Sequence, residues 1–159
     1  PDWSEQDPEE IANAVFQSVE IIVQNFQPEL PALLCFSAAM HSLIAVNDQG
    51  TPISKCMIWA DNRAAAIASA LKKEGRWSVF YRKTGVPVHA MSPFCKLLWL
   101  RENEPSVFQQ AFKFIGIKEF IFYKLFKRSA SITKRSKGYY KSKIIVLREL
   151  KSIFSIVVI

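Results

Sequence analysis

Two short stretches of the sequence place polar groups where a ligand could be held. In Ser37-Ala38-Ala39-Met40-His41-Ser42, small and polar residues follow an apolar run. Open α/β sheets present their ligands at such strand ends. An imidazole there can hydrogen-bond a hydroxyl or an anionic group, so His41 reads either as a ligand contact or as a satisfied turn histidine. The second stretch is Trp59-Ala60-Asp61-Asn62-Arg63. A tryptophan can pack on the apolar face of a polyol, a carboxylate can accept two hydroxyl bonds, and an arginine can fork a carboxylate. Against that, Asp61 also reads as a helix N-cap and Trp59 as a core aromatic. His89 and Met91 lie in a loop before Ser92, open between ligand and structural roles. Lys96 is expected to snorkel from its helix rather than touch a phosphate.

The elements that must position these residues follow from pattern. Asp7-Pro8-Glu9-Glu10 is a helix start, with Asp7 as cap and Pro8 in the first turn. Ile11, Val15, Val19, Ile22 and Phe26 follow at helical spacing and predict one buried stripe, ended by Pro28. Leu30 to Asn47 carries no charge, but Pro31, Ser37, His41 and Ser42 interrupt it. It reads as two strands, 33–36 and 43–46, not as a membrane span. Asn47-Asp48-Gln49-Gly50 is a turn, and no phosphate turn of the Asp-x-Gly kind is assigned. A third strand over 55–59 and an alanine-rich helix over 62–74, capped by Asp61 and closed by Gly75, come next. Thr84 to Pro87 is a loop. Ser92-Pro93 opens a helix through Arg101, and Pro105 starts a short one. Lys113–Ile115 is a last strand before a helix over Ile117–Phe126. Strands alternating with helices indicate an α/β fold.

Composition narrows the function classes. Half the 159 residues are hydrophobic and 22% are charged, a globular balance. The net charge of +7 is uneven: residues 1–126 hold 12 basic and 13 acidic residues, and 127–159 hold nine basic and one acidic. The basicity therefore belongs to the tail. Its Lys134, Arg135, Lys137, Lys141 and Lys143 crowd together without a nucleic-acid-reading motif, which disfavours a nucleic-acid partner. The tail is expected to pack poorly on the body, and its apolar end, Ile153 to Ile159, to seek an unpaired sheet edge. Cys35, Cys56 and Cys95 stand far apart, so no disulfide framework or zinc ribbon is expected and a reducing, cytoplasmic compartment is favoured. Residues 1–20 lack the pattern of a signal peptide. Neither GxxxxGK[ST] nor GxGxxG occurs, and no cluster has metal-ligand spacing.

At these same motifs the sequence resembles the FGGY carbohydrate kinases. The resembling segments, in order, are Trp3 to Glu9, Ser37 to Leu43, Ile58 to Arg63 and Tyr81 to His89, then Met91-Ser92-Pro93, Lys96 to Leu100 and Ile117 to Ile121. The resemblance covers residues 1–126 and is strongest to the gluconokinase branch. It implies an actin-like, ribonuclease-H-like fold of two domains with a cleft between them. Residues 1–126 would be a partial N-terminal domain on the sugar-binding side, lacking its first strands, and the missing second domain its natural packing partner. It implies ATP-dependent phosphorylation of a terminal hydroxyl of a sugar acid, gluconate foremost, with a xylulose-type sugar kinase fragment as the alternative; the alternative from another class is a non-catalytic fragment whose basic tail binds nucleic acid. Carried over by position, Met40, His41, Trp59, Asp61 and Arg63 would contact the sugar. Glycerol kinases read Arg-Glu at the Met40-His41 position, which disfavours glycerol. Xylulose kinases share Met-His, whereas Trp-Ala-Asp-Asn-Arg looks more like the gluconate branch. ATP and Mg2+ are implied by the family. Their binding residues and the catalytic base are expected beyond this chain, which alone would be inactive.

Overall fold

The computed structural model describes residues 3–26, 34–126 and 156–158. Strand β1 (Glu5–Gln6) leads into helix α1 (Pro8–Asn25). Asp7 Oδ1 accepts the backbone N–H of Glu9 at 2.9 Å and of Glu10 at 3.4 Å, the N-cap that the sequence predicts. The Glu9 amide in particular holds the Asp7 carboxyl below its usual range. The predicted stripe is only half-buried: Pro8 and Ala12 are the buried residues of α1, and Phe26 is exposed.

Next come β2 (Leu34–Phe36), β3 (Ile44–Val46) and β4 (Cys56–Met57). After them the chain forms α2 (Ala65–Lys73), α3 (Trp77–Thr84), α4 (Pro93–Asn103) and α5 (Pro105–Gln110). Strand β5 (Lys113–Ile115), α6 (Ile117–Phe126) and β6 (Ile156–Val158) complete the described elements. β1 pairs antiparallel with β4, and β3 antiparallel with β5. Leu43 and Met57 exchange backbone hydrogen bonds of 3.0 and 2.9 Å, so β4 lies between β1 and β3. β2 pairs in parallel with β6, Leu34 opposite Ile156. Apart from that short strand, the basic tail of 127–159 lies outside the described residues.

Strand alternation then distributes the core. Ile44, Val46 and Cys56 pack with Ala12 of α1 and Ile117, Phe120 and Ile121 of α6. Leu43 and Met57 point the other way, onto Leu100 of α4 and the half-buried Phe108 and Phe114. The strands are thus covered by helices on both faces, the three-layer α/β arrangement. A further cluster of Ala64, Ala68, Leu71, Val88 and Cys95 ties α2 to α4.

Three sequence expectations change. α2 begins at Ala65, and its N-cap Ala64 makes no side-chain bond. Asp61 does not cap it, because that carboxylate is spent on a different partner, described below. β1 and α3 were not expected at all. α3 is only eight residues long, its N-cap Arg76 makes no side-chain bond, and none of its residues is fully buried, although Phe80 packs against the α2–α4 cluster; Gly85 closes it in the left-handed conformation at φ 71°. The third strand is shorter than 55–59. Among the described residues no helix is long and apolar enough to cross a membrane.

Candidate functional site

Two loops meet beside the strand ends: one follows β2 and carries Met40 and His41, the other follows β4 and carries Trp59. They border a hollow of about 270 Å³, whose lining includes Gln6, Ala39, Met40, Ser42, Ile58 and Trp59. Met40 is 61% and Trp59 55% exposed, large apolar side chains left facing outward at its rim. Its floor is apolar, with Ile11, Cys56 and Ile117 beneath. Ser42 Oγ accepts the Ile117 backbone N–H at 2.9 Å and so seats the start of α6 against this loop.

His41 has a left-handed backbone, φ 69°, the one non-glycine residue among those described to do so. Such a conformation costs free energy in an L-residue and is held only when its surroundings demand it. Burial, together with the charge of Lys96 and the proximity of His89, lowers the pKa of His41. At pH 7 its imidazole is therefore neutral, a donor at one nitrogen and an acceptor at the other. His89 is exposed, and its Nδ1 accepts the Met91 backbone N–H at 3.3 Å.

Lys96 departs most from expectation. It does not snorkel: it is 0% exposed, the largest fully buried side chain of those described. Its Nζ donates to the carbonyl of His41 at 2.7 Å and to that of Ile58 at 2.6 Å. Burial depresses its pKa to about 8, although the Asp61 carboxylate pulls the other way.

Asp61 and Arg63 face inward on each other. Asp61 is 0% exposed. Its Oδ2 lies 2.9 Å from an Arg63 terminal nitrogen and also accepts the Ser4 backbone N–H at 2.9 Å. The Arg63 Nε donates to both oxygens at 3.0–3.1 Å, and the guanidinium reaches Glu5 at 2.6 Å. The same guanidinium lies 4.0 Å from the Trp3 ring centroid and 4.9 Å from that of Trp99. The five candidate residues thus divide: Met40 and Trp59 line the hollow, His41 follows Met40 in its loop, and Asp61 and Arg63 form a buried pair behind the Trp59 loop. Sequence reasoning missed the Trp3, Glu5 and Trp99 cage and the role of Lys96. A lysine set within Phe94-Cys95-Lys96-Leu97-Leu98 was the available signal.

At Asp48-Gln49-Gly50-Thr51 the sequence spells an Asp-x-Gly-Thr pattern, but the structure closes it on itself. The Gly50 N–H donates to the Asn47 carbonyl at 3.1 Å, the Thr51 N–H donates to Asn47 Oδ1 at 2.8 Å, and Tyr123 covers Gly50. With those amides spent, the turn makes no phosphate cradle. Among the described residues no cluster of three or more His, Cys, Asp or Glu could hold a metal ion.

Residues 1–137 match the FGGY family of carbohydrate kinases, N-terminal domain. The chain belongs to this family. It is 43% identical over 128 residues to a gluconokinase of Bacillus licheniformis, a match covering 79% of this chain and 25% of that protein. Among solved structures it resembles a gluconate kinase of Lactobacillus acidophilus, with TM-score 0.73 and 38% identity over 77% of this chain and 25% of that one. A ligand-bound xylulose kinase of the same organism gives TM-score 0.74 and 38% identity, again over 77% and 25%. The fold is therefore the actin-like, ribonuclease-H-like α/β fold of these FGGY sugar kinases, of which the described residues form a part. The chain spans about a quarter of the length of these relatives.

Proposed function

We propose that this chain supplies the sugar-binding side of an ATP-dependent carbohydrate kinase that phosphorylates a terminal hydroxyl of a sugar acid, gluconate. The observation that carries the substrate reading is the 43% identity to a gluconokinase. The hollow suits such a ligand. The Trp59 indole and Met40 offer an apolar wall to the carbon chain of a polyol. The Gln6 amide supplies a donor and an acceptor, and His41, which follows Met40 in the rim loop and is not itself part of the lining, carries a neutral imidazole with one of each. Asp61 and Arg63 hold the Trp59 loop from behind, and in this reading they act on the sugar through that loop. Catalysis in phosphoryl transfer is mostly positioning and charge stabilisation, and these residues serve the first of the two.

ATP and Mg2+ are implied by the family, but the described residues do not make a site for them: the one Asp-x-Gly-Thr turn is closed and no carboxylate cluster is available. In this reading the base that takes the hydroxyl proton and the second domain that closes the cleft lie outside the quarter of the relatives' length that this chain spans. In the same reading the described residues 3–26 and 34–126 belong to the sugar side of the first domain. Buried, reduced Cys56 and Cys95 are consistent with work in the cytoplasm. A second reading, xylulose as substrate, is favoured by the equal likeness to the xylulose kinase structure. Calorimetric titration of the chain with gluconate, xylulose and glycerol separates them. Gluconate is expected to bind most tightly, and a preference for xylulose or glycerol overturns the assignment.

A further inference from the structure

We propose that Lys96 is a positioning residue for the hollow, its ammonium clipping the Met40–His41 loop to the Ile58–Trp59 loop and so setting the spacing of the walls. The role of the hollow as a sugar-acid site rests on the reading above; the clip itself does not. Lys96 sits in the second turn of α4, and α4 is fixed from below by Ser92, whose Oγ accepts the Cys95 N–H at 3.3 Å. From that anchored helix one side chain reaches two carbonyl oxygens, 55 and 38 residues away in sequence. Each belongs to the residue next to a wall of the hollow: His41 follows Met40, and Ile58 precedes Trp59.

Two further observations fit this role. Burying an ammonium completely costs free energy that a methionine or leucine at the same place would not. A lysine here is thus poorly explained by stability alone. The clipped carbonyl of the first loop also belongs to the residue with the left-handed backbone, at φ 69°. A strained peptide relaxes unless something holds it, and the 2.7 Å bond to Lys96 is on that peptide's own oxygen. Lys96 is not itself part of the lining and meets it only at the Ile58 carbonyl, so it acts on a ligand through the loops.

The test compares the full chain with Lys96→Met and Lys96→Arg. Hydrogen exchange is read at the Ile58 amide, which donates to Ser4, and at the Asp61 amide, which donates to Ile58. The Phe120 amide, bonded to Gly116 in α6, is the reference. In Lys96→Met the first two are expected to exchange about tenfold faster with Phe120 unchanged, and Lys96→Arg, which keeps N–H donors, to recover part of that protection. If all three amides speed up together, or none does, Lys96 is only a part of the general stability and the proposal falls. Gluconate titration is the second arm: about tenfold weaker binding is expected in Lys96→Met, and binding as tight as wild type overturns the positioning role. If wild type itself does not bind gluconate, the sugar-acid reading fails, while exchange still decides the clip. Should Lys96→Met not fold, through-hydrogen-bond NMR couplings from the wild-type Lys96 Nζ to the carbonyl carbons of His41 and Ile58 are expected. Their absence overturns the proposal.

Discussion

Replacing Asp61 by alanine should be among the most damaging single changes in this chain, and its size can be worked out from the structure. The carboxylate is 0% exposed and accepts from the Ser4 N–H at 2.9 Å, the Arg63 N–H at 3.2 Å and the Arg63 guanidinium at 2.9–3.1 Å. Removing one member of a buried ion pair typically costs about 3–5 kcal/mol, mostly because the other charge is stranded. Arg63 would keep Glu5 at 2.6 Å and the Trp3 face at 4.0 Å, so the lower end of that range applies. At roughly 3–5 °C per kcal/mol for a domain of this size, the melting temperature should fall by about 10–15 °C. The assay is thermal and urea unfolding at pH 7 of wild type, Asp61→Ala, Arg63→Met and the double variant. Because the double variant removes both charges of the pair together, the sum of the two single losses should exceed the double loss by about 2 kcal/mol. Additive losses, or an Asp61→Ala melting point within about 2 °C of wild type, would refute the view that this pair holds the Trp59 loop.

Three other outcomes follow from the same structure. Trp59→Ala should weaken gluconate binding about tenfold, roughly 1.4 kcal/mol, with little change in melting temperature because the side chain is 55% exposed; titration and melting curves check the two halves separately. Lys96 should make stability depend on pH in a defined direction. Its folded pKa of about 8 lies below the ordinary 10.5, so between these values the unfolded chain holds the proton that the folded chain has lost. Stability of wild type relative to Lys96→Met should therefore rise from pH 8 to 10; the Cys56 thiol, raised to about 11 by burial, is present in both proteins, and the Lys96 charge holds it lower in wild type; urea unfolding at pH 7 and pH 9.5 reads it. Gly50→Ala should destabilise more than Gly75→Ala: both glycines have positive φ, 77° and 71°, but only at Gly50 would the new methyl meet the Tyr123 ring, whereas at Gly75 nothing lies within 4 Å. Equal melting losses would contradict that packing.

Local chemistry made much of this fold legible, and tertiary chemistry made the rest hidden. Asp7, Pro8 and the acids after them announce α1, and the Ser92-Pro93 cap announces α4, because capping is decided within three residues of sequence. The strands around Ile44 and Ile115 were readable from short apolar runs. α3 was not, since it is two turns long and its N-cap position, Arg76, makes no side-chain bond that would announce a helix start. Asp61 stands where a helix cap would stand, and only the fold brings up Ser4, Glu5, Trp3 and Trp99 to claim it and Arg63 instead. Lys96 inverted its expectation for the same reason. A lysine's reach to two carbonyls depends on loops 38 and 55 residues distant, which no local pattern encodes. Of the candidate site, Met40 and Trp59 were legible as residues at strand ends, whereas their exposure and the pairing of Asp61 with Arg63 required the structure.

The account rests on a sugar acid occupying the hollow between the Met40 and Trp59 loops, and residue-resolved NMR tests this most directly. Gluconate added to the isotope-labelled chain should shift the backbone amides of Met40, His41 and Ser42, together with the indole N–H of Trp59. The Trp77 indole, in α3 and not part of the lining of the hollow, should stay in place. Xylulose and glycerol at the same concentration should produce smaller shifts. Gluconate shifts that fall elsewhere, or that are matched by glycerol, would contradict the account.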